Sequence, residues 1–186
     1  MPGNTVIRLI EVPQEQRVQI IQAVDALFFD ASNTQAFSSD EEKSAFREVW
    51  LGRYIRNHPE HFYIATSDIG DVLGYLAGSP DNPAETALFS DIDYFKLFEK
   101  ECVQYPAQLH INIAPSARGL GVGRALIDAY ATQCAQDGVS GCHVVTRVGA
   151  DNVGFYLACG FHEVARAHWA ARDRDLILLG KIINRT

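Results

Sequence analysis

An apolar, strand-like run, Leu109-His110-Ile111-Asn112-Ile113-Ala114, is joined to a helix-like run from Val122 to Ala135 by a glycine-rich turn, Arg118-Gly119-Leu120-Gly121-Val122-Gly123-Arg124. Strand, glycine turn and helix in that order form an α/β junction, and nothing else in the chain limits its fold as strongly. Glycines at 119, 121 and 123 leave the peptide N–H groups uncovered by side chains. At a helix N-terminus those amides and the macrodipole attract anions. The turn reads as a cradle for a phosphate-bearing ligand; a plain glycine turn that keeps the junction tight is the other reading.

Spacing separates the kinds of phosphate turn. A dinucleotide fingerprint needs G-x-G-x-x-G. Counted from Gly119 the third glycine would fall on Arg124, and counted from Gly121 on Leu126, so the pattern fails. A nucleoside triphosphate loop needs Gly-Lys-Ser or Gly-Lys-Thr, and the chain has neither. What remains, Arg118-x-x-Gly121-x-Gly123, resembles the Gln/Arg-x-x-Gly-x-Gly/Ala signature of the GNAT family of N-acetyltransferases. Downstream, within Asn152–Phe161, the run Phe155-Tyr156-Leu157-Ala158-Cys159-Gly160-Phe161 is similar to that family's F-Y-x-x-x-G-F element. The two stand in the expected order with one helix and one strand between them, and the resemblance covers roughly His61 to Ile183.

The resemblance implies an α/β fold with one domain over residues 1–186. It would hold a mixed sheet of about seven strands, mostly antiparallel with a central parallel splayed pair, flanked by helices. The cofactor half would run over about 107–183. It further implies acetyl-coenzyme A as cosubstrate, with an amine of a small molecule or peptide acetylated directly in a ternary complex. The amides of Arg118, Gly119, Leu120, Gly121, Val122, Gly123 and Arg124 would hold the pyrophosphate. The backbone of the central strand, Ile111 to Ala114, with Ile111 and Ile113 as contacts, would hold the pantetheine arm. Tyr156 matches the tyrosine that protonates the departing thiolate, with a packed structural tyrosine as the alternative. The family asparagine that touches the arm commonly stands seven residues before that tyrosine, where this chain has Gly149; Asn152 is only four before it. Asn152 therefore either contacts the arm or caps the short helix. A noncatalytic acyl-coenzyme A sensor on the same fold would keep the loop and lose the acid–base pair.

The base is not given by a motif. Strand alternation puts His110 and Asn112 on one face and Leu109, Ile111 and Ile113 on the other. Histidine titrates near ~6.5, which suits proton transfer near neutrality. Similar proteins often carry a carboxylate on this strand, so His110 is a departure, and a structural hydrogen-bonding histidine stays open beside the base. Asp91, Asp93, His143 or a water chain are the reserves.

Composition bounds the rest. A net charge of −7 and a pI near 5.3 lack the basic stripe of a nucleic-acid surface. No apolar run reaches the ~18 residues of a membrane span, and Met1–Thr5 lacks the pattern of a secretory signal. Cys102, Cys134, Cys142 and Cys159 have no C-x-x-C spacing and read as free thiols. The cytoplasm is the expected compartment. His58 and His61, without further ligands nearby, read as a solvated loop pair, so no metal is expected. Dimers are common among similar proteins, which keeps a homodimer open.

Along the chain, Val6–Val12 reads as a strand and Pro13 as the first residue of a helix. That helix reaches about Asp30, with Val18, Ile21, Ala23, Val24, Leu27 and Phe28 on its apolar face. A polar loop, Ala31–Ser38, leads to the capping-box spacing Ser39-Asp40-Glu41-Glu42 and a helix to about Asn57. Runs 61–66 and 72–77 read as a hairpin. The irregular stretch Ser79–Tyr105, with a short helix at Tyr94–Phe98, is either a substrate-side lip or a packing flap. Helix 122–137, strand 141–147, helix 152–159, strand 161–168 and strand 175–183 complete the order.

Overall fold

The computed structural model describes residues 4–32, 34 and 36–184. Met1–Gly3, and Asn33 and Gln35 of the expected polar loop, lie outside the described residues. Seven strands form one sheet: β1 (Asn4–Arg8), β2 (Phe62–Ser67), β3 (Val72–Ser79), β4 (Ala107–Ile113), β5 (Gly141–Arg147), β6 (His162–Trp169) and β7 (Arg174–Ile182). Their order is β1-β2-β3-β4-β5-β7-β6. β4 and β5 are parallel and the other neighbours antiparallel, as the resemblance implies. The parallel ladder joins the start of β4 to β5, at Ala107↔Cys142 and Gln108↔His143. A parallel pair needs a crossover, and α5 (Val122–Gln136) supplies it. Within the terminal hairpin it is β7 that pairs with β5, and β6 lies outside it.

Backbone packing divides the chain into two compact units. One runs to Gly78 and includes His110–Tyr130; the other comprises Ser79–Leu109 and the chain from Ala131 onward.

In the first unit, β1 stops at Arg8 instead of continuing to Val12. Glu11 folds back to accept from the Arg8 N–H at 2.9 Å and from its guanidinium at 2.6 and 3.0 Å, turning Leu9–Glu11 into a 3-10 turn. Helix α1 (Gln14–Ala31) begins one residue after Pro13, whose carbonyl accepts from the Gln16 N–H at 2.9 Å. Pro13 therefore caps the helix and is not its first residue. Val24, Leu27 and Phe28 are buried, whereas Val18, expected on the apolar face, is 67% exposed. The capping box closes differently from its pattern. Ser39 Oγ accepts the Glu42 N–H, but the Glu42 carboxylate takes the N–H and hydroxyl of Ser38, both at 2.6 Å. The helix that follows is not uniform: α2 (Asp40–Arg47) passes through a π-helical turn, Glu48–Gly52, into α3 (Arg53–Asn57). Val122, Leu126, Ile127 and Tyr130 of α5 are buried, and Tyr130 lies so near β3 that a Cβ on Gly78 would come within 2.3 Å of its ring.

In the second unit the 79–105 stretch is a packing layer. The expected short helix is a 3-10 run over Asp93–Phe98, which leads into α4 (Glu99–Gln104). Phe98 and Cys102 form a core cluster with Leu176 and Leu178 of β7, with Tyr94, Val164 and Trp169 packed around it. The Trp169 indole N–H donates to Asp93 at 2.9 Å. That arrangement matches the flap alternative. All four cysteines are buried and none is in a disulfide. No helix among the described residues is long and apolar enough to cross a membrane.

Candidate active site

The glycine turn is built from its φ angles. After β4, Pro115–Ala117 makes one 3-10 turn, then Gly119 and Gly121 take φ of +78° and +82°. The Ala125 N–H bonds the Gly121 carbonyl at 3.0 Å, which opens α5. Amides of the helix's first turn have no carbonyl a turn earlier to bond, so they are the anion-binding donors of such a terminus. Residues 118–121 are exposed while Val122 is buried and anchors the turn. A Cβ on Gly119 or Gly121 would meet nothing within 4 Å. Packing does not demand glycine there; the left-handed backbone does. The same missing side chains allow a ligand to approach the peptide nitrogens.

Strand geometry sorts the backbone of β4. The Ala114 N–H donates to the Leu73 carbonyl of β3 at 2.9 Å, and the Asn112 carbonyl faces Gly74. N–H and C=O of one residue point to the same strand edge and alternate along the chain. The backbone groups of Ile111 and Ile113 therefore face away from β3, and the Ala114 amide, expected among the arm contacts, is already engaged.

His110 lies on the β4 face shared with Asn112. Its ring hydrogen-bonds the backbone of Trp50 in the π-helical turn. Tyr54 meets the ring edge-on at 5.0 Å and Tyr75 at 6.2 Å. Tyr75 stacks on Phe62, and its hydroxyl accepts from Asn112 Nδ2 at 2.6 Å. The residue as a whole is half-buried, but Nε2 has no accessible surface and no hydrogen-bond partner in the protein. Burial holds the imidazole well below its usual range, at about 4, against the opposing bond to Trp50. The ring is thus neutral at physiological pH, not titrating near neutrality as expected of a base, and its Nε2 is shielded in the free protein.

Tyr156 sits in α6 (Val153–Ala158), which ends in a complete Schellman motif. The Phe161 N–H reaches the Tyr156 carbonyl at 3.1 Å, the Gly160 N–H reaches Leu157 at 3.0 Å, and Gly160 takes φ +86°. The accompanying hydrophobic contact is Phe161 against Tyr156, 5.5 Å between ring centres. The F-Y-x-x-x-G-F spacing is therefore a helix stop that clamps the tyrosine. Burial pushes its phenol above the ordinary value, so it carries its proton throughout the neutral range.

Other expected residues sit differently. Asn152 precedes α6, but its side chain does not cap it; Oδ1 accepts from the Thr146 hydroxyl at 3.1 Å. His58 and His61 are buried, not solvated, with His61 edge-on to Tyr130 at 5.9 Å. Among the described residues no group of histidines, cysteines and carboxylates could hold a metal ion. His143 is fully buried, its Nδ1 bonded to the Tyr105 carbonyl at 2.5 Å and its Nε2 3.9 Å from Cys102 Sγ, a core histidine. The Trp50 backbone contact and the Tyr75–Asn112 bond have no counterpart in the sequence reading. A π-turn carries no composition signature, and alternation gives a face without its partners.

Residues 26–161 match the model of the acetyltransferase (GNAT) family. Among solved structures, that titled SsHAT superposes with a TM-score of 0.72 at 19% identity, covering 98% of this chain and all of the other. The ribosomal-protein-S18-alanine N-acetyltransferase of Escherichia coli gives 0.57 at 16% identity, over 99% of this chain and 96% of the other. A Salmonella typhimurium protein, yncA, described as a putative acetyltransferase with its cofactor acetyl-CoA, gives 0.57 at 15%, over 98% and 95%. At these identities the likeness is one of fold.

Proposed function

Because the chain belongs to the acetyltransferase (GNAT) family, we propose that it transfers an acetyl group from acetyl-coenzyme A to a primary amine of a small molecule or peptide. The observation that carries the reading is the turn at Gly119–Gly121, where two positive-φ glycines lead into the first amides of α5. Such a concave set of N–H groups suits a diphosphate. Acetyl-coenzyme A would supply the activated acetyl group as a thioester. The amides of Gly119, Gly121, Val122, Gly123 and Arg124 would hold its pyrophosphate, those of Arg118 and Leu120 already donating to the Pro115 and Ala117 carbonyls at 3.4 Å, and the backbone of Ile111 and Ile113 would hydrogen-bond its arm.

His110 and Tyr156 would divide the proton work. Amine nitrogen becomes acidic as it bonds to carbonyl carbon, and His110 Nε2, neutral and shielded in the free protein, would receive that proton once bound substrate uncovers it. Tyr156, kept protonated by burial, would give one to the leaving sulfur and be reprotonated from solvent. His110 would then release its proton to solvent, so the products are an amide and the free thiol, with no net change in protonation of the protein.

Calorimetry tests the first step. Coenzyme A should bind the wild-type protein, and Gly121→Ala should weaken binding by about tenfold, the ~1–2 kcal/mol that a left-handed alanine costs. No uptake of coenzyme A by folded protein would end the reading. A thiol-release screen with acetyl-coenzyme A against small amines, amino acids and peptides would then identify the acceptor. Tight binding without turnover on any amine would favour a sensor.

A further inference from the structure

The π-helical turn Glu48–Gly52 is the one irregularity in an otherwise continuous helical run from Asp40 to Asn57. A π-turn inserts one residue and offsets the carbonyl ladder, so that a carbonyl can be directed outward to another group. Here the Trp50 backbone meets the ring of His110. Since Nε2 has no partner in the protein, the bonding nitrogen is Nδ1, and toward a carbonyl it can only donate. The neutral ring then has its lone pair on Nε2.

Two further contacts hold the turn. The Glu48 carboxylate crosses above Gly52 to the Arg56 guanidinium, with Arg56 Nη1 donating to Oε2 at 2.8 Å and Nη2 pairing with Oε1. It passes so low that a Cβ on residue 52 would stand 2.4 Å from Glu48 Oε2. On the other side, Arg47 pairs with Asp25 of α1 at 2.7 Å. Around the His110 ring itself the facing titratable groups are Tyr54 of α3 and Tyr75 of β3, with Asn112 as the polar neighbour on β4.

We propose that the π-helical turn is a positioning element: the Trp50 carbonyl fixes His110 as the Nδ1–H tautomer and keeps the lone pair on Nε2, which bound substrate must uncover before it can take the amine proton. The part played by the amine rests on the transferase reading above; the tautomer does not. An exposed histidine favours the other tautomer, Nε2–H, so the sequence alone would place the lone pair on the wrong nitrogen. Gly52 and Glu48 are positioning residues, acting through His110 without touching substrate.

Long-range ¹H–¹⁵N spectra of the labelled, ligand-free protein at pH 7 test this directly, with the His110 signals assigned by their loss in His110→Gln. The wild-type ring should show a protonated Nδ1 and a bare Nε2. Gly52→Ala, which forces Glu48 aside, should shift the ring toward a tautomer mixture. Glu48→Gln, which keeps the shape and removes the charge, should do so less and serves if Gly52→Ala does not fold. An Nε2–H or doubly protonated ring in the wild type would overturn the proposal, as would an unchanged pattern in both variants. Turnover separates the two readings. If His110→Gln keeps full kcat on an amine found by the screen, the base assignment fails while the tautomer result stands; if His110 is the base, Gly52→Ala should lower kcat about tenfold with KM nearly unchanged.

Discussion

Tyr156 and His110 differ in what their surroundings leave them able to do. Tyr156 is boxed by Phe155 and Phe161 and can only lose a proton, whereas His110 is neutral and can only gain one. Replacing Tyr156 by Phe removes one hydroxyl and leaves the ring packing intact. We expect kcat to fall by roughly a hundredfold with coenzyme A affinity unchanged, which steady-state kinetics and calorimetry on one preparation would check. The helix stop that clamps the tyrosine was legible because the spacing of Gly160 and Phe161 behind it is itself a physical motif. Asn152 was not: a short polar residue before a helix predicts a cap, but the Thr146 hydroxyl lies closer to hand and takes its oxygen. His58 and His61 show the same limit, since the sequence around Pro59 reads as a loop while tertiary packing against Tyr130 buries it.

At the level of elements, the two helix ends assigned to the proposed chemistry are built by opposite means. α5 begins with amides that have no partners in its own first turn, and α6 ends with its carbonyls satisfied by Gly160 and Phe161. Gly160→Ala should destabilise the fold by about 1–2 kcal/mol, because alanine resists the left-handed region. Lys181, whose Nζ donates to the Cys159 carbonyl at 2.8 Å, would have to give way as well. Chemical denaturation would read the loss, and a midpoint equal to wild type would refute it. The succession of strands and helices along the chain was readable from its apolar runs and their breaks, while the central parallel pair came from the family resemblance. The place of β7 between β5 and β6 was not, since both strands of that hairpin carry similar residues and only the pairing of Leu176–Ile182 with β5 decides it. The short helix at Asp93–Phe98 was legible but its 3-10 type was not, because clustered aromatics suit any helical conformation that drives Phe95 and Phe98 inward.

Across the whole molecule, buried neutral histidines tie stability to pH. His143 and His110 are both depressed to about 4 by burial, while in the unfolded chain they titrate near ~6.5. Between those values the unfolded chain holds protons that the folded one refuses, so stability falls as pH drops from about 6.5 toward 4 and is unaffected above. Each site can contribute about 3 kcal/mol at the bottom of that window. Denaturation midpoints at pH 7 and pH 5 should differ, and His143→Gln should flatten the acid slope if it folds; equal midpoints would contradict the burial. The sequestration of all four sulfhydryls has a practical outcome for the bench. A chromogenic disulfide reagent should colour native protein hardly at all and count about four equivalents only in denaturant. Continuous optical monitoring of released carrier would then run against a silent enzyme background, and any slow drift in a blank would report unfolding rather than catalysis.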